Sequence, residues 1–204
     1  WEMTNGTIID GAYESTDGEG LIANFTGNMF DNVTVNGDLT INNTAKVTFK
    51  NGTTLNGTTT LLALSGNPAV STILDVIDPP ILSGTGEVIF GGVTRINKLF
   101  STNDTLTIDS GIMVRGGSGT IGSSNDPFIN QGTIRVENAG DEMTLTGPGW
   151  QNQGTIEVED GKLIFQVSWS NSGVINIING TLELDGTFTV DDLGIYNRTG
   201  GVID

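Results

Sequence analysis

The most constraining feature of this sequence is a short motif that returns about every twenty residues. An aromatic residue, an Asn two positions later and a Gly two positions after that occur in segments 128–134, 150–156 and 169–175, and segment 195–200 is a weaker copy. The spacing between the Asn residues of successive copies varies, and the longest gap precedes the weaker copy. An α-helical repeat needs more residues per unit, so this variable period favours a β-solenoid whose turns tolerate insertions.

Alternating apolar and polar residues between the motifs predict short strands with one buried side. Segments 133–136, 155–158 and 181–184 show this alternation, and segments 33–35, 39–41, 47–49, 88–90 and 106–108 extend it towards the N-terminus. Frequent Asn-Gly and Asp-Gly pairs supply tight corners, and 30 Gly residues in 204 disfavour long helices. Motif and strand recur in one order, which stacks equivalent side chains about 4.8 Å apart only in parallel coils. We therefore predict an all-β, parallel β-solenoid of roughly 9–10 coils, about 45 Å long, rather than a meander of hairpins.

The repeated motif also predicts which side chains form the interior. The Asn of each copy is expected to join an amide ladder at an inward corner, namely Asn130, Asn152, Asn171 and Asn197. The aromatic residues two positions earlier are expected to point the same way and stack, namely Phe128, Trp150 and Trp169. The alternative is an exposed aromatic row that binds sugar.

The domain organisation follows from the repeats. Residues 1–204 are expected to form a single solenoid segment, excised from a longer repeat array whose neighbouring repeats would cover its open ends. Segment 65–82 is irregular and is interpreted as an insertion or a short helix, because Val70, Ile73, Leu74 and Ile77 have helical spacing. The residues from Thr72 to Ile77 also fit a strand, so the sequence leaves both structures open there.

Composition excludes several classes of function. The net charge of −16 opposes binding to nucleic acid, and no apolar run is long enough to span a bilayer. The sequence contains no Cys and no His, which removes thiolate and His-ligated metal sites and the commonest general base. We expect no cofactor, no metal site and no catalytic residues.

Two charge patterns leave alternatives open. Paired carboxylates could support glycoside hydrolysis, and the candidate pairs are Asp75 with Asp78, Asp104 with Asp109, and Asp191 with Asp192. The residues Arg95, Arg115 and Arg135 are evenly spaced and could align into an anion-binding row. Stacked like charges repel, so a surface salt bridge from Arg135 to Glu157, one coil later, is favoured instead.

Asn-x-Thr sequons are dense in the chain. They begin at Asn5, Asn24, Asn32, Asn42, Asn51, Asn56, Asn103, Asn179 and Asn197. Asn is common in tight turns and Thr is common in strands, so most sequons are interpreted as products of turn chemistry rather than as glycan acceptors.

Segment 145–156, Leu-Thr-Gly-Pro-Gly-Trp-Gln-Asn-Gln-Gly-Thr-Ile, and its partner at 82–88, Leu-Ser-Gly-Thr-Gly-Glu-Val, carry a resemblance. They resemble the β-strand repeats of bacterial autotransporter passengers and filamentous-haemagglutinin-like exoproteins, with the best likeness over 82–204. The resemblance implies a right-handed parallel β-helix in a secreted or surface-attached stalk, without a universal catalytic motif.

The function expected from these features is structural or adhesive, and not enzymatic. An extracellular or cell-surface rod would display loops that contact a host cell, matrix or glycan surface, without inserting into a membrane. The alternative is a carbohydrate-binding or carbohydrate-active β-helix, such as a lyase, a glycosidase or a phage tailspike-like protein.

Overall fold

The backbone winds in one direction through about nine stacked turns. The computed structural model describes residues 1–15, 18–64, 71–92 and 97–204. Every strand pair in these segments is parallel, so the predicted all-β parallel solenoid is confirmed and a meander of hairpins is excluded. The handedness implied by the resemblance stays a prediction.

Each complete turn passes through three faces, and the strands are numbered in chain order. Face 1 is a ten-stranded sheet that takes one strand from each turn. Its strands are β1 (Glu2–Thr4), β3 (Leu21–Asn24), β5 (Leu39–Ile41), β8 (Thr58–Ala63), β11 (Glu87–Gly92), β14 (Met113–Gly116), β17 (Thr133–Val136), β20 (Thr155–Val158), β23 (Val174–Ile177) and β25 (Ile195–Arg198).

Faces 2 and 3 form one sixteen-stranded sheet that shares the long strand β4 (Asn28–Val35). The first half of β4 pairs with face 2 and its last residues pair with face 3. The strand β2 (Thr7–Tyr13) pairs with β4 along both of these parts. Face 2 also contains β6 (Lys46–Lys50), β9 (Thr72–Ile77), β12 (Asn97–Phe100), β15 (Gly119–Ile121), β18 (Glu142–Leu145), β21 (Lys162–Phe165), β24 (Thr181–Leu184) and β26 (Val202–Ile203). Face 3 continues with β7 (Thr54–Leu55), β10 (Ile81–Gly84), β13 (Leu106–Ile108), β16 (Phe128–Asn130), β19 (Trp150–Asn152) and β22 (Trp169–Asn171).

The period-two alternation in the sequence places the core. In β6, for example, Val47 and Phe49 are buried while both Lys residues and Thr48 point outwards. The buried residues of all three faces form one hydrophobic cluster that runs from Met3 to Leu182. Nine steps of about 4.8 Å between the ten strands of face 1 give a rod of about 43 Å.

Corner glycines let the turns stack this closely. A Cβ on Gly154 would lie 2.2 Å from the carbonyl oxygen of Gly132, and a Cβ on Gly173 would lie 2.1 Å from that of Gly154. The backbone of one turn therefore fills the space that a side chain of the next turn would need. The Gly of the repeated motif is required by this contact rather than by its dihedral angles.

Two segments depart from the regular turn. The spacing of equivalent face 1 positions is nearly constant from β14 to β25, but the turns from Thr59 to Val88 and from Val88 to Val114 are longer. The first of these long turns contains segment 65–82, whose residues 65–70 lie outside the described part. Thr72–Ile77 is strand β9, so the helical alternative is wrong for those residues. The helix among the described residues is α1 (Val190–Leu193), where the repeated motif predicted no helix.

Candidate functional site

Three of the four predicted ladder asparagines form a continuous hydrogen-bond chain inside the solenoid. Asn130 Nδ2 donates to Asn152 Oδ1, and Asn152 Nδ2 donates to Asn171 Oδ1, both at 2.7 Å. Asn130 and Asn152 are fully buried, and Asn171 is 6% exposed. A buried primary amide needs both donors and acceptors, and the amide of the preceding turn supplies the donor for Asn152 Oδ1 and Asn171 Oδ1. The Oδ1 of Asn130, at the start of the ladder, has no partner among the described residues. These side chains hold neighbouring turns together and are not accessible to a ligand.

The assignment of Asn197 to this ladder is corrected. Asn197 lies on face 1, where its Nδ2 donates to Asn176 Oδ1 at 3.0 Å on the surface. The turn that joins these two residues is close to the usual length, so the position one turn after Asn171 falls within α1. Asn171 Nδ2 donates instead to the carbonyl oxygen of Leu193 at 2.8 Å.

Two signals in the sequence indicate this end of the ladder. The gap between Asn171 and Asn197 is longer than the gaps that separate Asn130, Asn152 and Asn171. In addition, Thr189 and Asp192 have the spacing of a capping box, and both of its reciprocal hydrogen bonds are present at α1. Together they predict a short helix where the fourth ladder strand was expected.

The predicted aromatic residues stack in the interior. The rings of Phe128 and Trp150 have centroids 5.2 Å apart at 8°, and those of Trp150 and Trp169 lie 6.0 Å apart at 23°. Trp169 also stacks on Phe188, at 4.8 Å. Phe128 and Trp150 are fully buried and Trp169 is 3% exposed. An exposed sugar-binding row of these residues is therefore excluded.

Face 1 carries a network of alternating charges. Arg115 and Arg135 are in register on adjacent strands. Arg115 Nε lies 2.6 Å from Glu87 Oε2, and Glu137 bridges the two guanidiniums at 3.2 and 3.6 Å. The hydrogen bond from Arg115 holds the pKa of the Glu87 carboxyl below its ordinary value, and the same contact raises the pKa of Arg115. These carboxylates neutralise the arginines, which disfavours an anion-binding row.

The last arginine of the proposed row, Arg135, contacts two further carboxylates. Arg135 Nε lies 3.6 Å from Glu157, the expected partner, and Arg135 Nη2 contacts Glu159 more closely. The hydrogen bond to Glu159 raises the pKa of Arg135. Arg95 lies outside the described residues.

In the first candidate carboxylate pair, the carboxylate of Asp75 is engaged in local contacts. Asp75 Oδ2 lies 2.7 Å from Lys46 Nζ, and the carboxylate accepts hydrogen bonds from the backbone and hydroxyl of Thr102 at 3.0 and 2.8 Å. The Asp75 side chain is 3% exposed, whereas Asp78 is exposed. Within the described segments, no group of three or more acidic residues is arranged to hold a metal ion.

In the other two pairs, Asp104, Asp109 and Asp192 form local hydrogen bonds, and Asp191 is exposed. Asp104 and Asp109 each accept a hydrogen bond from the backbone N–H of the next residue, at 2.7 Å. Asp192 accepts from the backbone and hydroxyl of Thr189 at the start of α1, and these bonds hold its pKa below the ordinary value. These contacts order corners and a helix end.

Most sequon asparagines bond across turns through their side chains. Asn56 Nδ2, for example, donates to Asn36 Oδ1 at 2.9 Å. The sequon asparagines with such contacts are Asn5, Asn24, Asn32, Asn42, Asn51, Asn56 and Asn197. The side chains of Asn103 and Asn179 are exposed and form no hydrogen bond to any residue that the structure describes. This agrees with turn chemistry as the origin of most sequons.

Face 3 has an outer surface without ionisable side chains on its strands, from the last residues of β4 to β22. The register aligns the outward side chains into two rows that run along the rod. They are Thr34, Thr54, Ile81, Ser83, Thr107, Ile129, Gln151 and Ser170. The repeated motif marks Ile129, Gln151 and Ser170 as the outward residues between its aromatic residue and its Asn. No repeated motif marks the other members, which share neither residue type nor a constant spacing.

An amide network crosses the edge of face 3. Gln131 Nε2 donates to Gln153 Oε1 at 3.2 Å, and Gln153 Nε2 donates to Gln151 Oε1 at 3.1 Å. The Oε1 of Gln131 and the Nε2 of Gln151 remain exposed and without a partner among the residues described. Asp109 is the carboxylate in the same edge row, and its Oδ1 accepts from Ser110.

Comparison with known proteins identifies no relative. No protein-family model, no curated protein and no solved structure matches this chain. Across the described segments, no helix is long and apolar enough to cross a bilayer.

Proposed function

We propose that this chain is a structural and adhesive rod of a secreted or cell-surface protein, and that it does not act as an enzyme. The observation that carries the proposal is the continuity of its interior. One hydrophobic cluster extends from Met3 to Leu182, and the ladder of Asn130, Asn152 and Asn171 lies within the same stack of turns. A continuous core of this kind resists bending and presents outward side chains in straight rows.

The rows are suited to contact with an extended surface. Successive outward residues repeat at the strand spacing of about 4.8 Å, so one ligand or surface can engage many turns at once. Many weak contacts along a rigid frame sum to useful avidity without a deep pocket. The resemblance to autotransporter and filamentous-haemagglutinin-like repeats supports the same role and the extracellular location.

Adhesion of coated beads tests the proposal. Beads carrying the purified chain are expected to adhere to cells or extracellular matrix more strongly than albumin-coated beads. Beads carrying heat-denatured chain serve as the matched control, because they present the same composition without the rows. Equal adhesion of native and denatured chain would contradict the adhesive role.

A second measurement separates the rod from the enzymatic alternative. The chain is incubated with acidic and uncharged polysaccharides, and the release of reducing ends and of unsaturated uronates is followed. We expect no turnover. Turnover that is lost when Asp75 or Asp104 is replaced by Asn would refute the proposal that the chain is not an enzyme.

A further inference from the structure

The charged side chains are unevenly distributed among the three faces. The chain contains 8 basic and 24 acidic residues, and face 1 carries the network of Glu87, Arg115 and Arg135. Face 2 also presents charges on its strands, including the ion pair of Lys162 with Glu183. Face 3, by contrast, presents only hydroxyl, amide and aliphatic groups on its strands from the last residues of β4 to β22. A ligand that binds this surface would therefore need no formal charge.

The dimensions of this surface limit what it can hold. Six strand steps of about 4.8 Å separate β4 from β22, which gives a strip about 29 Å long. Its strands from β13 to β22 are three residues each, so the strip is about 10 Å wide. An area of about 300 Å² is well below the roughly 800 Å² that each partner buries in a stable protein complex. A narrow, extended polymer chain fits the strip, whereas a second copy of this rod or another globular protein does not.

The groups on the strip match an uncharged, hydroxyl-rich polymer. At the two ends of the amide network, Gln131 offers a free acceptor and Gln151 a free donor. Thr107 adds a hydroxyl on β13, the strand between β10 and β16. Ile81, which is 39% exposed, and the half-buried Ile129 provide apolar contact for the C–H groups of a sugar ring. The surrounding acidic surface repels polyanions.

We propose that face 3 binds an uncharged polysaccharide chain lying along the rod axis. This inference rests on the proposed adhesive function and names its ligand class and contact surface. Sugar hydroxyls exchange hydrogen bonds with Thr107, Gln131 and Gln151. The apolar faces of the sugar rings lie against Ile81 and Ile129.

Binding is tested by calorimetry and by a glycan array with the intact chain. The probes are uncharged glucan, mannan and galactan fragments of four to eight sugars, with uronate-containing fragments of equal length for comparison. At least one uncharged series is expected to bind with an affinity that rises with length up to about six sugars, because six steps of about 4.8 Å span the strip. Binding restricted to the uronate fragments overturns the proposal.

Matched variants locate the site. Thr107→Glu and Gln151→Glu place a carboxylate on face 3 and are expected to weaken binding at least tenfold. Thr144→Glu makes the same change at an outward, half-buried Thr of face 2 and is expected to change binding less than twofold. Circular dichroism and melting temperature of each variant establish that it is folded. Equal affinity of the face 3 variants and the native chain overturns the proposal.

The result also distinguishes this inference from the proposed function. If coated beads adhere but no uncharged fragment binds, face 3 is not a glycan surface and the adhesive role stands on another contact. If neither adhesion nor glycan binding occurs, both proposals fail. Adhesion that disappears after protease treatment of the target cells, and persists after removal of their glycans, also overturns the inference.

Discussion

Removal of one amide from the buried ladder tests the stabilising role of the ladder in the core. Asn152→Ala deletes two hydrogen bonds of 2.7 Å, each worth about 1 kcal/mol net. Asn130 Nδ2 keeps the carbonyl oxygen of Thr155 at 3.3 Å, but Asn171 Oδ1 loses the donor that satisfied it. An unpaired buried acceptor costs a further ~1–3 kcal/mol. We therefore expect the free energy of unfolding to fall by about 3–5 kcal/mol.

The assay is urea unfolding followed by tryptophan fluorescence, with amide hydrogen exchange to locate the weakened turns. Repeat folds can lose cooperativity, so exchange in β16, β19 and β22 shows whether the loss is confined to the ladder. Asn176→Ala is the control, because it removes one surface hydrogen bond of 3.0 Å and is expected to cost less than ~0.5 kcal/mol. Losses for the two variants that agree within about 0.5 kcal/mol would refute the ladder as a stabilising element.

Three further predictions concern backbone strain at Val167, the ion pair of Glu87 with Arg115, and deamidation of Asn179. Val167 is β-branched and half-exposed at a φ of 68°, so Val167→Gly is expected to raise stability by up to ~1 kcal/mol in thermal unfolding, and a fall would contradict the strain. The pKa of Glu87 is lowered by Arg115, so their pair stabilises above the ordinary carboxyl pKa and loses its effect as pH falls through the folded pKa. The free energies of unfolding of Glu87→Gln and the native chain should therefore differ by at most ~1 kcal/mol near neutral pH and converge as the pH falls through the lowered pKa of Glu87. A difference that stays constant over this pH range would be inconsistent with the linkage. The side chain of Asn179 and the N–H of Gly180 form no hydrogen bond among the described residues, whereas the side chain of Asn56 and the N–H of Gly57 are both hydrogen-bonded. Mass spectrometry after storage at pH 8 should therefore find faster deamidation at Asn179 than at Asn56.

The sequence alone determined the fold class and most of the core. Inward side chains of successive turns contact one another at a spacing of about 4.8 Å, so they must be compatible in size and polarity. This constraint produces a repeat that is recognisable in the sequence. Phe128, Trp150 and Asn152 are recognisable for that reason. The Gly of the motif is fixed by the same contact, since a Cβ on Gly154 would collide with the backbone of the preceding turn.

The tertiary structure decided where the ladder ends and which outward residues share a surface. Asn197 has the residue type of the ladder, but the backbone forms α1 first and carries Asn197 to face 1, one sheet away from Asn171. Outward side chains face solvent and need not match the side chain of the next turn as closely as inward ones do. Their residue types therefore vary more from turn to turn. The two longer turns also change the sequence spacing between equivalent positions. Ile81 lies beside Thr107 because the second of these longer turns joins the two residues. The uncharged strip of face 3 thus exists in the stacked rod and in no contiguous stretch of the sequence.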